Sequence, residues 1–197
     1  MTEEKKEFKK IPESAKCVFK GVLHEVWQWE QEQFDGSFKT FECLRRRDGL
    51  TIVAITEDKK FIINYEEHPG YPPFITFPGG NIEEGQTQEQ GAQRELLEET
   101  GHESDNWELW FSNDILNYKK MVWDNYVFIA RDCKKIQEPE LDSGEKIEAH
   151  FLNFEEFVQV TQDSKFRNKE ISKIVKDILD NKHDLNLHDF KNFLLGE

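Results

Sequence analysis

The sequence predicts a mixed α/β fold, on three observations. Short runs of β-branched and aromatic residues recur as far as residue 152. A capped helix over 88–100 interrupts them. The tail carries apolar residues at helical spacing.

From Cys17 to Trp29 the chain alternates as one strand, and Phe38 to Leu44 is its partner across an Asp35-Gly36 turn. Asp48-Gly49 turns into Thr51–Thr56, and Asp58-Lys59-Lys60 turns into Phe61–Tyr65, both short strands. Residues 68–73, HPGYPP, form a loop, because three prolines and a glycine exclude regular structure. Phe74–Phe77 is a brief extended piece ending in Pro78-Gly79-Gly80. Thr87 caps the following helix, with Gln90 completing a capping box and Gly101 stopping it. Trp107–Phe111 and Met121–Ala130 are further strands, and 132–146 is a polar loop. Ile147–Leu152 is a strand, and Phe154–Val160 is helical. Ile171, Ile174, Val175, Ile178 and Leu179 mark an amphipathic helix over 169–182, with another over 187–195. Residues 1–15 are charged and expected to be loosely attached. The division expected is a tail and β-hairpin arm over 1–45, a core over 46–163 and a C-terminal helical extension over 164–197, within one structural domain.

Acidic residues number 40 against 26 basic ones, a net charge of −14, which opposes non-specific binding to nucleic acid or anionic membrane. A polyanionic small molecule stays open, since a metal ion inverts the local field. The 13% aromatic content argues for a packed core rather than disorder. No apolar run approaches the roughly 20 residues of a membrane helix, and MTEEKKEFKK has no apolar signal region. Cys17, Cys43 and Cys133 have no metal-binding spacing. A cytoplasmic protein is expected.

Chemistry concentrates in residues 78–101, PGGNIEEGQTQEQGAQRELLEETG. On a helical wheel Glu99 falls about 40° from Glu95 and Glu98 about 60° to its other side, one arc of about 100°. Gly91 shares this face and should leave open space, while Ala92, Leu96 and Leu97 face a core. Clustered carboxylates repel unless a cation sits among them, and such oxygen donors suit Mg²⁺ or Mn²⁺. The Pro-Gly-Gly turn can add a backbone carbonyl.

This segment resembles the Nudix box, G-x5-E-x7-R-E-U-x-E-E-x-G-U, with U apolar. Counted from Gly80, it matches at Arg94, Glu95, Leu96, Glu98, Glu99 and Gly101 and departs at Gln86 and His102. The resemblance implies an α/β/α sandwich around a mixed central sheet, and hydrolysis of a nucleoside diphosphate linked to another group, with Mg²⁺ or Mn²⁺. It implies Glu95, Glu98, Glu99 and the Gly79 carbonyl as metal ligands, and Arg94 as the brace of the box. Gln86, in place of a glutamate that supports Arg94, keeps a hydrogen-bond acceptor and loses the ion pair. Glu98 also stands as a catalytic group, the fallback base within the box.

Residues 142–157, DSGEKIEAHFLNFEEF, are similar to the late loop, strand and helix of ADP-ribose and nucleotide-sugar pyrophosphatases, which carry a general base there. Glu145 is the first candidate and Glu148 the second. The aromatic hairpin resembles the arm with which that subgroup dimerises and contacts the base; it implies a homodimer, with Trp27, Trp29, Phe34 and Phe41 as candidates for stacking a nucleobase. Glu66-Glu67-His68 stands where ADP-ribose enzymes often carry an arginine, and residues 102–138 lack their proline. His68, His102 and His150 read as loop or strand residues. The leading expectation is a nucleotide-sugar or ADP-ribose-like pyrophosphatase that yields a nucleoside monophosphate. The alternatives are a triphosphate or dinucleotide pyrophosphatase and a ligand-sensing domain without catalysis.

Overall fold

The computed structural model describes residues 11–114 and 121–197. Most of the loosely attached tail expected over 1–15 lies outside the described residues. In chain order the elements are β1 (Lys16–Lys20), β2 (His24–Glu32), β3 (Phe38–Arg46), β4 (Gly49–Thr56), β5 (Phe61–Glu67), β6 (Phe74–Thr76), α1 (Gln88–Thr100), β7 (His102–Glu103), β8 (Asn106–Asp114), β9 (Met121–Val122), β10 (Asp124–Lys135), β11 (Lys146–Leu152), α2 (Phe154–Val160), α3 (Lys169–Leu179) and α4 (Leu187–Leu195). They fall into two compact units, one of Met1–Asp48 with Asn113–Asn125, the other of Gly49–Ser112 with Tyr126–Glu197.

The first unit is a four-stranded sheet of order β1-β2-β3-β9. The strand expected over 17–29 is two strands. The chain reverses at Gly21, whose N–H donates to the His24 carbonyl at 2.8 Å, and Val22 lies exposed in the turn. Alternation continues through such a turn, so periodicity alone does not reveal it. β2 and β3 pair antiparallel with Trp29 opposite Phe41 and Trp27 opposite Cys43.

The second unit carries a sheet of order β11-β5-β4-β10-β7, with β6 on β5 and β8 on β10. Strand parity divides its core. Ile52, Ala54, Ile62, Phe128 and Ala130 pack with Ala92 and Leu96 of α1. Val53, Ile55, Phe61, Ile63, Val127 and Ile129 pack with residues of α2, α3 and α4. Helices therefore cover both faces, the α/β/α sandwich expected. The tail helices contribute Ile171, Val175, Phe190 and Leu194 to this main core.

Helix α1 begins and ends as expected, with the Thr87–Gln90 capping box at one end and Gly101 in the left-handed conformation at the other. A Cβ at Gly101 would lie 2.1 Å from the Gln137 carbonyl, so no other residue fits this stop. The polar loop expected over 132–146 starts later. β10 runs on to Lys135 because β7 pairs with it, Glu103 opposite Lys134 and His102 opposite Lys135. Met121–Ala130 is likewise not continuous, since β9 pairs parallel with β3 and Trp123 separates it from β10.

Buried Arg131 fastens the last helix. Its Nε donates to the Leu194 carbonyl at 2.8 Å and a terminal nitrogen donates to that of Phe193 at 2.9 Å, while Glu108 pairs with it at 2.8 Å. Arg131 thus satisfies the Leu194 carbonyl and gives a second donor to that of Phe193, which also accepts from Gly196 N–H at 3.3 Å. Arg131→Met should lower folding stability by about 2–4 kcal/mol, since the Leu194 carbonyl loses its donor, that of Phe193 loses the nearer of two, and Glu108 loses its partner. A urea midpoint unchanged from wild type would show that α4 needs no such clasp.

Candidate active site

The site starts at the turn between β6 and α1. Leu50 N–H donates to the Gly80 carbonyl at 2.9 Å and Ile52 N–H to that of Pro78 at 2.8 Å. The carbonyls flanking Gly79 are thereby engaged by β4, and that of Gly79 stands outside this pairing. A Cβ at Gly80 would lie 2.3 Å from a Glu95 carboxylate oxygen, so only glycine lets this carboxylate approach the turn.

Arg94 gathers the box. It donates to Glu98 at 2.6 Å, to Glu95 at 2.7 Å and to the Asn81 carbonyl at 3.0 Å. The expected contact with Gln86 is not made. Gln86 Oε1 instead accepts from Glu83 N–H at 3.2 Å, and the buried Nε of Arg94 has no partner among the described residues. An amide lacks the charge that would draw Arg94 away from two carboxylates. The open space expected at Gly91 is filled, because a Cβ there would meet Leu50 Cδ1 at 2.9 Å and Gln86 Oε1 at 3.4 Å.

Glu99 turns inward. Its Oε2 accepts from Asn64 Nδ2 and from Gly79 N–H, both at 2.9 Å. Burial raises its pKa well above the ordinary carboxylate range, and the nearby charges of Glu66, Glu95 and Glu145 add to the shift. Burial raises Glu95 as well, against the pull of Arg94. Among the described residues no three His, Cys, Asp or Glu side chains already form a metal-holding group. Arg94 draws Glu95 and Glu98 aside, while Glu99 faces Asn64 and the turn.

Glu66 was missed by sequence reasoning. It is buried on β5 with its carboxylate 3.0 Å from His68 Nε2, and burial raises its pKa with Glu145 adding to the shift. Strand parity was the available signal: Ile62, Asn64 and Glu66 fall on one face, and α1 packs against Ile62. Glu145 and Glu66 both line a cleft of about 730 Å³, within the range of small-molecule sites. Glu148 lines it too, but its carboxylate is 79% exposed and lies 3.2 Å from His150. Trp27, Trp29 and Phe41 belong to the first unit, where Trp29 and Phe41 lie 4.9 Å apart between ring centroids.

His102 takes the final apolar position of the box. It is buried, its Nδ1 lies 2.8 Å from the Thr100 carbonyl, and burial lowers its pKa. A neutral imidazole thus serves as an apolar filler.

The NUDIX domain model matches residues 45–174, which contain this whole turn, helix and acidic loop. The chain belongs to the Nudix family. At 23% identity over 155 residues it is similar to the ADP-ribose pyrophosphatase of Bacillus subtilis (strain 168), covering 74% of this chain and 79% of that one. It is equally similar, at 23% over 152 residues, to the methanol dehydrogenase activator of Bacillus methanolicus, covering 75% and 80%. Among solved structures, that of an "ADP compounds hydrolase" superposes with a TM-score of 0.65 at 18% identity, over 87% of this chain and 94% of the other. This last likeness concerns the fold.

The residues of this Nudix hydrolase fit a hard divalent cation. Glu66, Glu95, Glu99 and Glu145 bring like charge together. Arg94 pairs with Glu95 at 2.7 Å, and His68 Nε2 lies 3.0 Å from the Glu66 carboxylate. Carboxylate oxygens are hard donors, the type that suits Mg²⁺ or Mn²⁺.

Proposed function

We propose that this Nudix hydrolase cleaves the pyrophosphate of a nucleoside diphosphate derivative, ADP-ribose-like or a nucleotide sugar. The products are a nucleoside monophosphate and a phosphorylated remainder. One observation carries this reading: Glu66 of β5 and Glu145 of the loop before β11 line a cleft of small-molecule size, and the charge of both reaches Glu99 of α1. The relatives named for ADP-ribose pyrophosphatase and ADP compounds support the substrate class.

Glu95, Glu98, Glu99 and the Gly79 carbonyl would hold Mg²⁺ or Mn²⁺. The ion supplies charge neutralisation on the pyrophosphate and a lower pKa for an attacking water. Arg94 holds Glu95 and Glu98 side by side at the end of the turn. Glu145 takes the proton of the attacking water, its carboxylate lining the cleft beside Glu66. Trp27, Trp29 and Phe41 stack the nucleobase.

The exposed apolar side chains of the first unit, among them Phe19, Phe34 and Phe38, support a homodimer formed through the arm. Light scattering at tens of micromolar should give twice the chain mass, and a monomer would remove the dimer. Three free cysteines accord with a reducing compartment such as the cytoplasm.

The deciding experiment is a screen, read by chromatography of the products, over ADP-ribose, nucleotide sugars, dinucleoside polyphosphates and nucleoside triphosphates, with Mg²⁺ and with Mn²⁺. Fastest turnover on a nucleoside diphosphate derivative supports the proposal. Fastest turnover on a triphosphate refutes it, and so does no turnover at all.

A further inference from the structure

The cleft has a second chemical character, set by the segment 163–168 between α2 and α3. Phe166 is fully buried and meets Phe77 edge-on at 5.4 Å between centroids. On either side of it the chain is tied to β6. Ile75 N–H donates to the Lys165 carbonyl at 3.1 Å, and Arg167 N–H donates to the Ile75 carbonyl at 2.9 Å. Asn168 Oδ1 then accepts from Thr76 Oγ1 at 2.8 Å and from Phe77 N–H at 3.0 Å. The segment is a fixed strap along the edge of the sheet.

With Phe166 pointing inward, Lys165 and Arg167 lie outside, and both are exposed. Lys165 lines the same cleft as Glu66 and Phe74. The Arg167 guanidinium stacks over the Phe74 ring at 3.4 Å from its centroid and lies 5.7 Å from that of Tyr71. A stacked guanidinium keeps its edge donors available. Among the described residues neither cation forms an ion pair. Asp163, the nearest acidic residue of the strap, accepts from the Lys165 backbone N–H at 2.7 Å. Two unpaired cations beside an acidic cleft, in a chain of net charge −14, call for an anionic ligand.

Strand pairing sets the distance of the strap from Glu66. Across the sheet Glu66 pairs with Ile147 on one side and Phe74 on the other, and Ile75 bridges to Phe166 of the strap. The strap therefore runs two strand spacings, roughly 10 Å, from the main chain of Glu66. That is farther than the two phosphorus atoms of one pyrophosphate lie from each other.

We infer that Lys165 and Arg167 form a specificity subsite for a further phosphoryl group, separate from the scissile pyrophosphate. Resting on the function proposed above, this narrows the substrate to a nucleoside diphosphate derivative that carries an additional phosphate. The phosphate sits either on the nucleoside or on the group released. Lys165 meets it as a point charge and Arg167 through the free edge of its guanidinium.

The test compares kcat/KM with Mg²⁺ on ADP-ribose, 2′-phospho-ADP-ribose and diadenosine tetraphosphate. It uses wild type, Lys165→Ala, Arg167→Ala, the double variant and Lys165→Arg. The wild type should favour one phosphorylated compound over ADP-ribose by about tenfold or more, mostly through KM. The double variant should bring that ratio below about threefold, and Lys165→Arg should retain most of it, on the scale of charge-assisted contacts. Preference for the 2′-phosphate puts the anion on the nucleoside side, and preference for the tetraphosphate puts it on the other. Equal kcat/KM on all three compounds overturns the inference, as does a preference that survives in the double variant. If wild type hydrolyses none of the three, the proposed function fails separately. Calorimetric titration of the same compounds in EDTA then reads the subsite alone, and equal affinities overturn it.

Discussion

Glu99→Gln should lower turnover by about three orders of magnitude, the scale of a lost metal-assisted step, and at the same time raise the melting temperature of the metal-free protein. Both effects have one cause. Glu99 is 6% exposed, and Glu66, Glu95 and Glu145 surround it with like charge. A glutamine keeps an oxygen to accept from Asn64 and Gly79 N–H, so the fold survives while the buried charge is gone. The pH dependence has a definite sign. The folded pKa of Glu99 lies above the ordinary value of 4.5, so its contribution to stability is fully present at or below about pH 4.5 and is lost as pH rises through the folded value. Glu66 and Glu95, also raised, act in the same direction. In EDTA the gap in melting temperature between Glu99→Gln and wild type should therefore widen from about pH 4.5 upward, and Mg²⁺ should narrow it by stabilising wild type alone. A gap that is the same at every pH, or one that Mg²⁺ leaves alone, contradicts this account.

Glu145→Gln is the second large effect. A positioned base contributes about 10²–10⁴-fold, so kcat should fall by roughly that much while KM stays within a few-fold. Glu145 follows the Asp142-Ser143-Gly144 turn, its N–H donating to the Asp142 carbonyl at 2.9 Å. Its charge reaches both Glu66 and Glu99. Glu148 stands on β11 opposite Tyr65, and its carboxylate is held at His150. Glu148→Gln should therefore stay near wild type under saturating substrate. The reverse pattern moves the base to β11, and full activity in both variants returns the role to Glu98.

Much of the site was legible because it is local. Thr87, Gln90 and Gly101 specify both ends of α1 through contacts within a few residues, and 3.6-residue periodicity puts three glutamates on one arc. What failed was of two kinds. Gly21 and Trp123 break strands whose alternation continues across them, and no local signal marks the end of β10, which extends to Lys135 because β7 supplies hydrogen bonds. Gln86 was expected to support Arg94, but a motif spacing carries no distances, and two nearby carboxylates hold that guanidinium instead.

By itself the sequence determined the family, the helix that carries the glutamates and the residue types of the chemistry, because these depend on order and spacing along a few turns of chain. Tertiary structure alone decided that Glu66 and Asn64 of β5 meet Glu99 of α1, and that Lys165 and Arg167 flank Phe74 on the cleft. Those pairs are 33 to 93 residues apart in the chain. Only sheet register and the packing of helices on its two faces bring them together, and no local propensity encodes a contact of that range.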